Sequence, residues 1–377
     1  MSNAVYMDAN ATTPPCAPAQ AAMEAALRTL GNPSSVHRFG RSARALVDRA
    51  RIQVARLVGA RAEEVVFVAG GTEANNLALA SRRERPLIVS GIEHDSVLKP
   101  AEMASARILR IARNGQVDLD DLAAALREAG CPAFVSIMLA NNETGVIQPV
   151  RAAADLVHAA GGLLHCDASQ APGRIAVDMS GLGADLLTLS AHKMGGMLGA
   201  GALVVKGDHA VRPLLVGGGQ EKYRRAGTEN VPAIAAFGAA AEEARLGEDV
   251  ARITRLRSRL ESRLAELGDG IAILGAGSPR LPNTTCVAIA GKSSETLVMA
   301  LDLAGYAISA GSACSSGKVR PSPVALAMGY GEEVARSAIR ISLGWWNSEA
   351  EIDGLVARLA DLAGRKVHTL PDMQPAA

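Results

Sequence analysis

The chain has 377 residues, 49% hydrophobic, 20% charged and 3% aromatic, with 38 glycines, so it can bury a large core and wholesale disorder is excluded. Its 39 Lys and Arg against 38 Asp and Glu leave a formal charge of +1 with no long run of one sign, which excludes strong attraction to nucleic acid or to an anionic membrane and points to a small-molecule partner. No uncharged stretch reaches the roughly 18–20 residues of a membrane span and the N-terminus has no apolar signal core, so a cytoplasmic protein is expected.

From Arg61 onward, short apolar runs alternate with helical patterns. Val65–Val68, Pro86–Ser90, Ile108–Ile111, Phe134–Met138, Gly162–His165 and Asp185–Leu189 read as buried strands. Between them, stretches such as Leu119–Ala129 and Val150–Ala160 carry apolar residues at helical spacing. Strand, helix, strand repeats predict a mostly parallel sheet wrapped by helices, with ligands at the carboxyl ends of the strands. A long helical stretch from Pro232 to Leu267 reads as a domain connector. A smaller α/β unit follows: a strand at Thr285–Ala290, a helix at Ser294–Leu303, a Gly- and Ser-rich loop at Ser309–Gly317, a strand at Ala338–Leu343 and a helix at Ser348–Leu362. The tail Lys366–Ala377 has no pattern. Cys16, Cys131, Cys166, Cys286 and Cys314 are odd in number and show no C-x-x-C, which suggests neither a disulfide framework nor a zinc knuckle. The seven histidines include no H-x-x-x-H, so no metal site is expected.

Three strand ends carry chemistry. The strand Val65–Val68 runs into Ala69-Gly70-Gly71-Thr72-Glu73, where backbone N–H groups and the Thr72 hydroxyl at a helix start suit a phosphate, although any tight strand-to-helix turn capped by Thr reads the same way. No Gly-Lys-Ser/Thr follows, so it is not a P-loop. Asp185–Leu189 ends in Ser190-Ala191-His192-Lys193, and Gly162–Cys166 ends at Asp167 with Gln170 three residues on. An anion cradle, a lysine and a carboxylate on separate strand ends are what pyridoxal phosphate requires: a phosphate site, an amine for its aldehyde and an acid for its ring nitrogen.

Ser190-Ala191-His192-Lys193, His165-Cys166-Asp167-Ala168-Ser169-Gln170, Asn141-Asn142-Glu143-Thr144-Gly145, Arg225-Ala226-Gly227-Thr228-Glu229-Asn230 and Ser309-Ala310-Gly311-Ser312-Ala313-Cys314 together resemble the cysteine desulfurases of the nitrogen-fixation and housekeeping iron-sulfur type, within the class-V aminotransferases. The match runs from Tyr6-Met7-Asp8 to Arg340-Ile341-Ser342-Leu343-Gly344. The resemblance implies the pyridoxal-phosphate-dependent transferase fold (type I): a large α/β domain with a mostly parallel seven-stranded sheet flanked by helices, plus a smaller α/β C-terminal domain. Its boundaries would be a segment 1–15 packing with the small domain, a cofactor domain 16–255 and a small domain 256–377 bearing the cysteine loop.

The resemblance also implies roles. Lys193 would bond to the cofactor and later carry protons; free lysine titrates near about 10.4, so serving as a base at neutral pH requires a fall of roughly 3. Asp167 would pair with the ring nitrogen, Asn142 and Gln170 would contact the ring oxygen, and His94 would stack on the ring. Gly71, Thr72, Ser190 and His192 would hold the phosphate, with Thr228 reaching across from a second subunit of a homodimer. Arg340 would bind the substrate carboxylate with help from Asn32. Cys314 would attack the sulfur of L-cysteine, leaving a persulfide on Cys314 and L-alanine, and pass the sulfur to an acceptor protein such as an iron-sulfur scaffold. The other four cysteines read as packing residues. Gly196-Met197-Leu198-Gly199 lacks the family's usual proline and lysine, and Trp345-Trp346 replace a more usual arginine and aromatic; both changes bear on docking rather than chemistry. The alternatives are a selenocysteine lyase or small-molecule aminotransferase of the same cofactor family, or a non-catalytic sulfur carrier.

Overall fold

The computed structural model describes residues 4–244, 248–311 and 320–364; Cys314, most of the loop expected at 309–317 and the tail expected from Lys366 lie outside the described residues. Seven strands form the large sheet, in the spatial order Val65–Val68, Gly201–Val205, Leu186–Ser190, Leu163–Asp167, Phe134–Ser136, Leu87–Ser90, Arg107–Leu109. Gly201–Val205 runs antiparallel to both of its neighbours, while the pairs from Leu186–Ser190 outward are parallel. The sheet is therefore mostly parallel and seven-stranded, in line with expectation, although the reversed strand at 201–205, preceded by only the 3-10 turn Ala191–Lys193 and no crossover α-helix, is not among the expected strands. Its residues are buried without alternation, as suits a strand covered on both faces.

Parallel strands need crossovers, and the helices provide them with readable ends. Asp118 caps Leu119–Ala129 by accepting from the N–H groups of Asp120 and Asp121, and Ser348 forms a capping box with Glu351 at the start of Glu349–Ala363. Two helices ahead of the first large-sheet strand, Ala17–Leu27 and Arg38–Leu57, pack on Val231–Glu243. The crossing is close: a Cβ on Gly238 would fall 2.6 Å from the Ala50 Cα. The long helix expected over 232–267 is instead two helices, Val231–Glu243 and Glu248–Ala265. The first is apolar and packs against the large sheet's core, the second packs with Glu349–Ala363, and one rod cannot bury its apolar face against both.

A second, antiparallel sheet has the order Ser309–Ala310, Ala338–Ser342, Thr284–Ile289, Ile271–Ile273. It has its own core, to which Met7 belongs. The N-terminal strand Val5–Tyr6 pairs with Tyr306–Ala307, and Asp8 bridges to Ser342. The chain's first segment therefore lies along the second sheet before crossing to the carboxyl edge of the first.

One buried ion pair ties the connection 206–230 to the large sheet. Arg51 donates to both oxygens of Glu221 (2.8 and 2.6 Å), and the Phe67 N–H donates to the same carboxylate at 3.0 Å. Removing the guanidinium leaves that carboxylate buried and uncompensated. Arg51→Met is expected to cost about 3–5 kcal/mol, read as a lower urea midpoint, and an unchanged midpoint would refute it.

Candidate active site

The carboxyl ends of five large-sheet strands converge on a cavity of about 550 Å³. It is lined by Gly71, Thr72, His94, Asn142, Asp167, Gln170, Ser190, His192, Lys193 and Arg340, ten of the residues singled out from sequence. Strand register explains part of the convergence. Asp167 lies opposite Thr188 in the ladder, so the Asp167 carboxylate and the Ser190–Lys193 turn emerge on the same edge.

Lys193 sits in the turn after Leu186–Ser190, and its Nζ donates to the carbonyls of Asn10 (2.6 Å) and Ala11 (2.7 Å). Burial, then the nearby Arg340 and Arg174 charges, bring its pKa down to about 7. That is the fall a lysine needs to be half neutral at physiological pH. His192, buried beside this amine, is pushed down to about 4 and is neutral. Its Nδ1 contacts Thr12 Oγ1 at 3.1 Å.

Asp167 accepts from the Ser169 N–H at 2.9 Å and from Asn75 Nδ2 at 2.7 Å. Asn75 also donates to Ser96 Oγ (2.8 Å), which lies 2.8 Å from His94 Nδ1. The Ser96 N–H donates to that same Nδ1 at 3.1 Å, which makes Nδ1 an acceptor. Asn75 thus couples the histidine to the carboxylate. Nothing in its helical context, Thr72-Glu73-Ala74-Asn75-Asn76, marks it from sequence.

Gln170 Nε2 donates to the Asn10 carbonyl at 3.0 Å, and its Oε1 accepts from Arg174 Nη1. Arg174 is fully buried, also donates to the carbonyls of Ala9 (2.9 Å) and Lys193 (3.4 Å), and has its pKa lowered to about 9 by burial and by Arg340. It holds the first segment, Gln170 and the lysine turn together. Sequence reading missed it because one arginine four residues after Gln170 has no distinguishing spacing.

Arg340 comes from the second sheet, where it pairs across with Cys286 and Ser309. Its Nη2 donates to Asp8 Oδ1 at 2.7 Å and its Nη1 to the Asn142 carbonyl at 3.2 Å, while its buried Nε has no hydrogen-bond partner. Four further acids line the cavity, Glu93, Asp95, Glu102 and Glu143, and two of them are shifted by burial. Burial raises Glu93 to about 8 against hydrogen bonds from Ser90 and Met138, and raises Glu143 to about 7.

Two of the sequence candidates lie elsewhere. Asn32 is exposed, and its Oδ1 accepts from the Ser34 N–H at 2.9 Å within its own turn. Thr228 is exposed in a separate cleft with Arg225, Glu229 and Asn230. Arg225 Nε donates to Glu73 Oε1 at 2.8 Å, which links that cleft to the helix behind the phosphate turn.

Known proteins share this architecture. The class-V aminotransferase family model matches residues 5–355. A cysteine desulfurase of Cereibacter sphaeroides is 42% identical over 366 residues, covering 93% of this chain and 94% of that protein. The cysteine desulfurase IscS of Dictyoglomus turgidum is 37% identical, covering 94% and 93%. The crystal structure of a NifS-like protein from Rickettsia africae superposes with a TM-score of 0.90 at 32% identity, covering 96% and 99%.

Enzymes of this family use pyridoxal phosphate, and the contents of the cavity fit it. The amine is brought to about pKa 7, a carboxylate is braced by two donors, Ser190 lies beside Gly71 at the start of the helix Gly71–Ala80 with His192 in the same lining, and the buried Arg340 Nε and Asn75 Oδ1 have no hydrogen-bond partner. By the span of the match, by the fold and by what lines its cavity, this chain belongs to the class-V aminotransferases, pyridoxal-phosphate-dependent enzymes that include the cysteine desulfurases.

Proposed function

We propose that the protein is a cysteine desulfurase, which removes the sulfur of L-cysteine, releases L-alanine and holds the sulfur as a persulfide on Cys314 for a sulfur-acceptor protein such as an iron-sulfur scaffold. One observation carries the reading: the cavity lined by Lys193, Asp167 and Arg340 is also lined by Gly311, three residues before Cys314.

Pyridoxal phosphate, when bound, supplies an aldehyde that condenses with amines and a ring that withdraws electrons from the substrate's α-carbon. Gly71, Thr72, Ser190 and His192 would hold its phosphate at the positive end of the helix Gly71–Ala80. Asp167, braced by Asn75 and Ser169, would hold the ring nitrogen, and Asn142, Gln170 and His94 would fix the ring. Lys193, titrating near 7, can take a proton from the substrate and return it. Arg340 would bind the substrate carboxylate. The Cys314 thiolate attacks the substrate sulfur, the S–S bond forms, the C–S bond breaks, and the carbon keeps the electron pair and is protonated to give alanine.

Thr228 is read as serving the site of a second subunit. Its exposure outside this chain's cavity supports a homodimer, as do the exposed side chains of Leu214, Leu215, Val216 and Tyr223 on the same connection. Residues 16–255 are read as the cofactor domain and 256–377 as the small domain, with 1–15 packed on the latter. Two sheets with separate cores support two domains, but the helix Glu248–Ala265 spans that boundary with Ile253 in the second core, and residues 10–13 also bond to the lysine turn of the first domain. The free thiols of the four described cysteines support a reducing, cytoplasmic location. Among the described residues no helix is long and apolar enough to cross a membrane.

Incubation of the purified protein with L-cysteine tests the reading. Alanine is expected in solution, with one extra sulfur atom on the Cys314 peptide by mass spectrometry before reductant is added. Transfer of the amino group to a keto acid without sulfur release would sink it in favour of an aminotransferase. A smaller effect tests the carboxylate site: Arg340→Lys keeps the charge but loses the planar fork, so KM for cysteine is expected to rise about 10-fold or more with kcat changed less. An unchanged KM would remove Arg340 from that role.

A further inference from the structure

Glu143 follows Asn142 in the turn 141–144, and the catalytic roles above leave Glu143 itself unused. The turn is rigid and buried: the Asn141 side chain accepts from the Glu143 N–H (3.0 Å) and the Thr144 N–H (2.9 Å) and donates to the Ile92 carbonyl (3.1 Å). It presents the Glu143 carboxyl to two residues far away in sequence. Ser322 Oγ donates to Oε2 at 2.6 Å, and the same Oε2 lies 2.7 Å from where a Cβ on Gly311 would stand. That Cβ would also lie 2.9 Å from Ser322 Cβ, so position 311 admits only glycine if neither neighbour moves.

The two residues are themselves anchored. The Gly311 N–H donates to the Ala338 carbonyl at 3.2 Å, and the Ser322 N–H to the Ala335 carbonyl at 2.9 Å. Ser322 Oγ also accepts from the Ala325 N–H at 3.0 Å, capping the helix Pro323–Ala327. Between Gly311 and Ser322 the chain contains Cys314. The carboxyl therefore lies where the two ends of that segment meet, and Glu143 and Gly311 both line the cavity.

We propose that Glu143 is a positioning residue for the thiol step: wedged against Gly311 and bonded to Ser322, it fixes the root of the segment that delivers Cys314 to the substrate. The proposal rests on the reading of Cys314 as the sulfur-accepting thiol. A shift of about 1 Å in a reacting group can cost about 10²-fold, so loosening the root slows the thiol step and leaves substrate binding alone. Gln has the same shape and keeps an acceptor oxygen for Ser322.

The test separates binding from sulfur transfer in the holoenzyme. L-cysteine binding is followed by the change in the protein's visible absorbance, and the persulfide on the Cys314 peptide by quenched-flow mass spectrometry. Glu143→Ala is expected to slow persulfide formation about 10–100-fold while the concentration of cysteine giving half the absorbance change stays within about 3-fold; Glu143→Gln is expected to restore the rate to within about 3-fold of wild type. Gly311→Ala, which drives a methyl group at an intact carboxyl, is expected to reproduce the slow thiol step and guards against a misfolded Glu143→Ala protein. Persulfide formation at the wild-type rate in both alanine variants overturns the proposal. So does loss of binding in step with the rate, since Glu143 would then act through the Arg340 charge nearby, and so does a Glu143→Gln protein as slow as Glu143→Ala. If the wild-type protein releases alanine but forms no persulfide at Cys314, the sulfur reading itself fails and takes this proposal with it.

Discussion

Replacing Lys193 by alanine is expected to lower alanine production from cysteine by roughly 10³-fold or more, because the proposed mechanism gives one amine both the covalent bond to the cofactor and the proton transfers. Its surroundings prepare it for both. The two carbonyls that receive its protons, Asn10 and Ala11, belong to the first segment of the chain, and the Arg174 guanidinium binds that segment and the lysine turn together. Burial and two neighbouring guanidinium groups disfavour the ammonium form and bring the pKa to about 7. The sign follows: below that value the amine is protonated and cannot attack an aldehyde, and above it the neutral form dominates. Uptake of pyridoxal phosphate by cofactor-free protein, followed by absorbance, is therefore expected to accelerate with rising pH around a midpoint near 7. A midpoint near the ordinary lysine value would mean that the site does not perturb the amine. Lys193→Arg is expected to be as inactive as Lys193→Ala, since a guanidinium keeps its proton at any working pH. Activity within 10-fold of wild type in either variant would remove Lys193 from the reaction.

Cys314→Ala is expected to abolish persulfide formation, with no rescue from the other thiols. A free thiol near pKa 8.5 is a few per cent thiolate at pH 7, which suffices for a strong nucleophile. The remaining cysteines are poorly placed. Cys166 and Cys286 are fully buried and their thiols are pushed up by desolvation, with nearby carboxylates adding to it. Cys16 is half-buried, is likewise raised by burial, and lines a second cavity that Lys193 also borders but Gly71 and Thr72 do not. Cys131 is exposed but lies after the helix Leu119–Ala129, away from the cavity's lining. The variant should still change colour with cysteine, since Lys193 and Arg340 are intact. Peptide mapping by mass spectrometry is the check: a persulfide on any other cysteine at the wild-type rate would contradict the assignment.

Much of the fold could be read from the order of apolar runs. Val65–Val68, Leu87–Ser90 and Phe134–Ser136 lie within or coincide with predicted strands, because a strand covered on both faces appears as an unbroken apolar run. Gly201–Val205 escaped notice because only the single 3-10 turn Ala191–Lys193, and no α-helix, separates it from Leu186–Ser190, which breaks the alternation on which the reading relied. The helices at 17–27 and 38–57 escaped for another reason. The first is rich in alanine and offers no plain apolar stripe; the second buries Ala43, Val47, Ala50 and Val54 at helical spacing but lies before Arg61, where the reading of alternating elements begins, and both pack on Val231–Glu243.

The site divides along the same line. The sequence by itself determined which groups are present: an amine, a carboxylate and a glycine turn at a helix start, each ending a strand, because a residue's position after an apolar run places it at the sheet's carboxyl edge. Tertiary structure alone decided how those groups are tuned. Asn75, Arg174, Asp8 and Glu143 act through partners 92, 165, 332 and 179 positions away, and local sequence carries no record of such pairs. Burial, which moves Lys193 and Glu93 toward neutrality, is a property of the closed cavity. The desolvation that lowers one pKa and raises the other exists only once both sheets and the first segment have come together around them.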